Sequence, residues 1–112
     1  MRLNSRIISN VNVVTVKETR IDAAVAIQFK DEMRAITDEG PDRVVLDLSE
    51  VGFVDSSGLG AIVAMKKHFG TEKTFELAGL THDVAKVFQL TRMDMIFTIH
   101  DSADPFTAQA AG

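Results

Sequence analysis

The chain has 112 residues, 46% of them hydrophobic and 25% charged, with a net charge of −4. That length suits one domain with an ordinary apolar core, read here as residues 1–112, and the composition is globular rather than disordered. With no cysteine, disulfides, thiolate metal sites and a Cys nucleophile are excluded; an acidic chain with scattered Lys and Arg and neither Trp nor Tyr argues against nucleic acid as a partner.

The N-terminal MRLNSRIISNVNVV carries neither a long apolar run nor a small-residue cleavage site, so it reads as no signal peptide. No apolar run approaches the ~20 residues of a membrane span, and the expected location is cytoplasmic, with no direct contact with a membrane. Residues 11–17 (VNVVTVK) are β-branched and roughly alternating, which predicts a strand paired with a short one near Ile7 and Ile8. Asp22 reads as an N-cap. From Ala23 to Glu39 a helix is predicted, with Phe29, Met33 and Ile36 on one face and Gly40-Pro41 ending it.

Residues 43–48 (RVVLDL) form an apolar run bounded by turn signals, as a buried central strand does. The loop SEVGFVD follows, then a helix closed by Gly70. Residues 74–78 (TFELA) predict a strand, Thr81 a cap for a helix to about Leu90, residues 96–100 (IFTIH) a last strand, and Ser102 with Pro105 a final short helix over 102–110. The closing AQAAG reads as a frayed end. The sum, β(β)αβαβαβα, is an α/β fold with a mixed, mostly parallel sheet of four to five strands and about four helices.

The informative segment is VVLDLSEVGFVDSSGLGAIVAMKK at residues 44–67. A buried strand leads through a loop into a helix at Asp55-Ser56-Ser57-Gly58-Leu59-Gly60. Any of Asp55, Ser56 and Ser57 is a fitting cap, and two hydroxyls stand at the positive end of the helix, where free N–H groups would stabilise a phosphate. Gly58 and Gly60 weaken a helix by about 0.8–1 kcal/mol each relative to Ala, so their presence implies either a backbone that something must approach closely or tight helix–sheet packing. The helix over 57–69 is apolar nearly all round until Lys66-Lys67-His68, so it is either buried on two sides or presents apolar surface to a partner.

DSSGLG after an apolar strand, in this order of elements, resembles the STAS domain of anti-sigma factor antagonists. Arg20-Ile21-Asp22-Ala23 resembles the family's Gly-Glu-Leu-Asp turn, with a departure at Thr19-Arg20. The run from Thr81 to Thr91 resembles its late helix, and the run from Met95 to Ser102 its last strand and the start of the following helix; the likeness covers about residues 10–108. The resemblance implies a non-enzymatic switch, a monomer without cofactor. The unphosphorylated domain binds an anti-sigma factor serine kinase and frees its client. The kinase phosphorylates Ser57 and ends binding, and a protein serine phosphatase reverses this. Asp22, Asp55, Ser56, Gly58, Leu59, Gly60 and Ile62 are the partner-binding residues it implies. STAS-like domains also serve as scaffold subunits of sensory assemblies or accessory subunits of membrane transport systems.

Rival chemistries fit less well. A phosphoacceptor receiver needs an acidic pair after its first strand, where Lys17-Glu18-Thr19-Arg20 offers one acid. A serine hydrolase needs a nucleophile elbow that is absent, which leaves His68, His82 and His100 as surface histidines. Asp47, Glu50 and Asp55 read as loop carboxylates rather than metal ligands, and no G-x-x-x-x-G-K-[ST] loop is present to hold a nucleotide.

Overall fold

The computed structural model describes residues 1–107. β1 (Leu3–Ile8) and β2 (Val11–Val16) form an antiparallel hairpin in which Ile8 faces Val11. Its two-residue turn places Ser9 and Asn10 at φ of 51° and 64°, the left-handed geometry that matches the twist of a hairpin. The first strand is therefore longer than the sequence predicts: its polar residues lie along an exposed edge, so little apolar patterning marks it.

Five strands make the sheet, in the order β1-β2-β4-β6-β7, with β4 (Arg43–Asp47), β6 (Thr74–Ala78) and β7 (Ile99–His100) parallel to β2. A separate two-stranded pair joins β3 (Arg20–Ile21) to β5 (Phe53–Val54), placing the loop after β4 against the turn that precedes the first helix. The helices are α1 (Ala26–Thr37), α2 (Ser56–Phe69), α3 (His82–Leu90) and α4 (Asp104–Thr107). A 3-10 turn (Met93–Met95) follows α3. This bears out the mixed, mostly parallel sheet.

The main core lies between one face of the sheet and α1, α2 and α3. It gathers Val14, Val16, Val44, Leu46 and Leu77 from the strands with Phe29 and Met33, Ile62 and Met65, and Val84 and Phe88 from the helices. Phe69, Phe75, Phe97 and Phe88 run through it as successive tilted or edge-on pairs with centroids 5.2–5.9 Å apart. A smaller cluster of Val11, Val13, Val45, Ala78 and Ala103 covers the other face, joined by Phe106 of α4. β2 is thus covered on both sides, which explains why its valines do not alternate cleanly with polar residues.

Two predicted boundaries and one predicted cap bond change. α1 begins at Ala26 rather than Ala23. Asp22 instead closes a separate turn, with Oδ1 accepting from the Ala24 amide and its carbonyl from that of Val25. Thr81 holds the N-cap position of α3, but its hydroxyl donates to the Val51 carbonyl at 2.7 Å and ties α3 to the loop before β5. β7 keeps only Ile99 and His100 of the predicted five residues, because Ile96 closes the 3-10 turn. Ser102 does accept from the Asp104 amide at the start of α4. The AQAAG end and the last residues of that predicted helix lie outside the described residues.

Candidate functional site

The strand pair β3/β5 delivers the chain to α2. Asp55 is its N-cap, in extended geometry, with Oδ1 accepting from the Gly58 amide at 2.8 Å and its carbonyl from the Leu59 amide at 2.9 Å. The other carboxylate oxygen accepts from the Ala23 amide at 3.1 Å, which fastens the Asp22 turn to the start of α2. The Gly58 amide, helped by those of Ala23 and Ser57 and by the Arg20 charge, holds the Asp55 carboxyl below the ordinary carboxylate range.

Ser56 and Ser57 are exposed at the first two positions of this helix. Of the amides in this first turn, that of Gly58 is taken by the Asp55 carboxylate and that of Leu59 by the Asp55 carbonyl, so the cap carboxylate already stands at the positive end of the helix. A phosphate on Ser57 would stand next to an ionised carboxylate and be directed outward, toward whatever faces the helix start.

The predicted partner-binding residues divide into two groups. Asp22, Asp55, Ser56 and Gly60 reach the surface around Ser57. Gly58, Leu59 and Ile62 are buried within the chain itself. A Cβ at Gly58 would stand 2.7 Å from the Ile21 carbonyl carbon and closer still to its oxygen, so Gly58 exists to let β3 approach α2. Leu59 and Ile62 lie in the main core because α2 is packed on the sheet and on α1. At Gly60 an added Cβ meets nothing within 4 Å, leaving open backbone one turn from Ser57.

Two surface features near this site escape the sequence reading. Arg20 stacks its guanidinium 4.2 Å from the Phe53 ring centroid while its Nε pairs with Asp22 at 3.3 Å. Ile27, in the first turn of α1, is 70% exposed although it belongs to the apolar set of that helix. An aromatic residue in the polar loop SEVGFVD and an apolar residue off the Phe29/Met33 stripe are the signals that could have revealed them.

The STAS domain family matches residues 2–104 of this chain. A STAS-domain containing protein of Pseudomonas aeruginosa is 32% identical over 83 residues, covering 71% of this chain and 79% of its own. BtrV of Bordetella bronchiseptica, named as a putative anti-sigma factor antagonist, is 29% identical over 89 residues, covering 79% and 77%. In fold, an anti-sigma factor antagonist from Mycobacterium paratuberculosis superposes with a TM-score of 0.83 at 24% identity, covering 99% of this chain and 94% of that one. The order of elements, the capped serine pair at the start of α2 and these likenesses have one reading: the chain belongs to the STAS domain family.

Proposed function

We propose that this protein is an anti-sigma factor antagonist that works by partner switching without catalysing a reaction itself. In the unphosphorylated form it binds an anti-sigma factor that is also a serine kinase. That kinase phosphorylates Ser57, binding ends, and a phosphatase restores the first state. The observation that carries this reading is Ser57 itself, exposed at the start of α2 beside a cap carboxylate held in its charged form. The relationship to BtrV supports the same branch of the family.

The energetics are sufficient. Reversing a complex from 99:1 to 1:99 takes about 5.5 kcal/mol. Phosphorylation adds about −1.5 to −2 charges, and unit charges 4 Å apart interact by about 4 kcal/mol at an effective dielectric of 20. Desolvation of the phosphate at an interface adds to that penalty. No rearrangement of the fold is needed, because Ser57 is already at the surface.

The test is peptide mapping of the protein from its native cells, at rest and under stress, with phosphatases blocked. A phosphate on Ser57 whose occupancy changes with condition is the expected result. An unmodified Ser57 in every condition, with full coverage of residues 44–67, refutes the switch. In binding assays with the kinase, Ser57→Ala should keep near wild-type affinity and Ser57→Asp should weaken it; equal affinity of the two variants would overturn the electrostatic account.

A further inference from the structure

The carboxylates beside Ser57 make its surroundings acidic before any modification. Asp55 is ionised at the cap, and Asp22 stands on the turn that the Ala23 amide fastens to it. Glu18 lines the same surface groove as Asp22 and Arg20, and it is paired with Arg2 at 3.5 Å. A phosphate on Ser57 brings about −1.5 to −2 further charges into this group.

Arg20 is the cation built into it. Its Nε pairs with Asp22 at 3.3 Å, and its Cζ lies 4.2 Å from the Phe53 ring centroid. These two contacts hold the guanidinium by one edge and one face. The side chain is 58% exposed, and among the described residues Nε is its one nitrogen with a hydrogen-bond partner. Both Nη atoms are therefore left to donate, as a fork whose shape matches two phosphate oxygens. The backbone sets this fork beside the helix start. The Ile21 carbonyl accepts from the Asp55 amide at 3.4 Å and lies where a Cβ of Gly58 would stand. Arg20 and Ser57 are thus each one residue from the same backbone contact. With successive Cα atoms about 3.8 Å apart, that separation is within the combined reach of an arginine and a phosphoserine. The Arg20 charge already acts on the Asp55 carboxyl.

We infer that Arg20 receives the phosphate of phosphorylated Ser57 within the same chain, its two Nη groups donating to two phosphate oxygens while Asp22 and Phe53 keep the guanidinium in place. The inference rests on the reading of Ser57 as the modified residue. Phosphorylation then alters the surface twice: it adds a dianion, and it takes up the arginine fork that a partner would otherwise meet. The test is a phosphorus NMR titration of the full chain carrying phosphoserine installed at Ser57 during synthesis. A free phosphoserine loses its second proton at about pH 6. An arginine paired with the phosphate favours the dianion, so Arg20→Gln should raise this value by about one unit relative to the phosphoprotein with Arg20 intact. Arg20→Lys, which keeps the charge and loses the fork, should raise it less. Arg34→Gln, in the last turn of α1, should leave it unchanged, with amide spectra unaltered away from β3 as the control for folding. Equal ionisation with and without Arg20, or an equal shift from Arg34→Gln, would overturn the pairing. Because this phosphoserine is installed and not added by a kinase, the result is separate from peptide mapping of the native protein, which decides whether Ser57 is modified.

Discussion

The two glycines of DSSGLG should respond to alanine with opposite signs, although they are two residues apart in one helix. At Gly60 the new Cβ meets nothing within 4 Å, so the change collects only the helix-propensity difference, about 0.8–1 kcal/mol of added stability. At Gly58 the same gain is opposed by collision with the Ile21 carbonyl. That carbonyl belongs to a fully buried residue paired through β3 with Val54. Backbone, not a flexible side chain, must yield there. Overpacking of this kind costs about 1–3 kcal/mol, and a backbone obstacle takes it to the upper end, leaving a net loss of about 2 kcal/mol. At about 4 °C per kcal/mol for a chain of this size, Gly60→Ala should melt about 4 °C higher than wild type and Gly58→Ala about 8 °C lower. Thermal and urea unfolding followed by circular dichroism read both. Equal shifts of the two variants, in either direction, would show that the contact between α2 and β3 is not what selects glycine. A stable Gly60→Ala protein also permits a clean reading of its surface: reduced capture of the proposed kinase would place Gly60 in the interface.

Further predictions concern the network that holds the sheet and α3. Glu76, buried on β6, accepts from Arg43 at 2.8 and 3.0 Å and lies 2.6 Å from the His100 ring nitrogen. The Arg43 hydrogen bonds, with a smaller contribution from His100, hold its carboxyl below the usual range. The resulting stabilisation is complete above the unfolded value of about 4.3 and is lost as pH falls through the folded value. Glu76→Gln should therefore lower stability at neutral pH by about 2 kcal/mol and flatten the acid limb of a stability-against-pH curve. A curve displaced downward with an unchanged acid slope would show that Glu76 does not titrate in this way. Thr81→Val removes the donor to the buried Val51 carbonyl and should cost about 1–2 kcal/mol in urea unfolding, with Thr81→Ser close to wild type. Asp55→Ala should lower the melting temperature by removing the acceptor of the Gly58 and Ala23 amides, and Asp55→Asn should lower it less; equal melting of Asp55→Ala and wild type would refute the cap.

Much of the fold is written in short-range pattern. The runs RVVLDL and TFELA become β4 and β6 because each is a short, mainly apolar segment bounded by turn signals, and that is a local property. The Gly70 stop and the Asp55 cap of α2 are likewise local, since each is made within a few residues of chain. β1 was legible only in part, because an exposed edge strand places few demands on its side chains. The pair β3/β5 was not legible at all: two-residue strands from distant parts of the chain carry no period.

The site divides along the same line. That Asp55, Ser56 and Ser57 open a helix after a buried strand follows from residue type and spacing alone, as does the family likeness built on them. Which neighbours of Ser57 face outward does not. Leu59 and Ile62 have the composition of either a core or an interface, and only the packing of α2 on the sheet and α1 buries them. Gly58 and Gly60 look equivalent as letters, yet one is pressed against the Ile21 backbone and the other is open, because β3 crosses the helix start on one side only. Residue type sets what a group can do, and long-range packing sets which groups water and partners can reach.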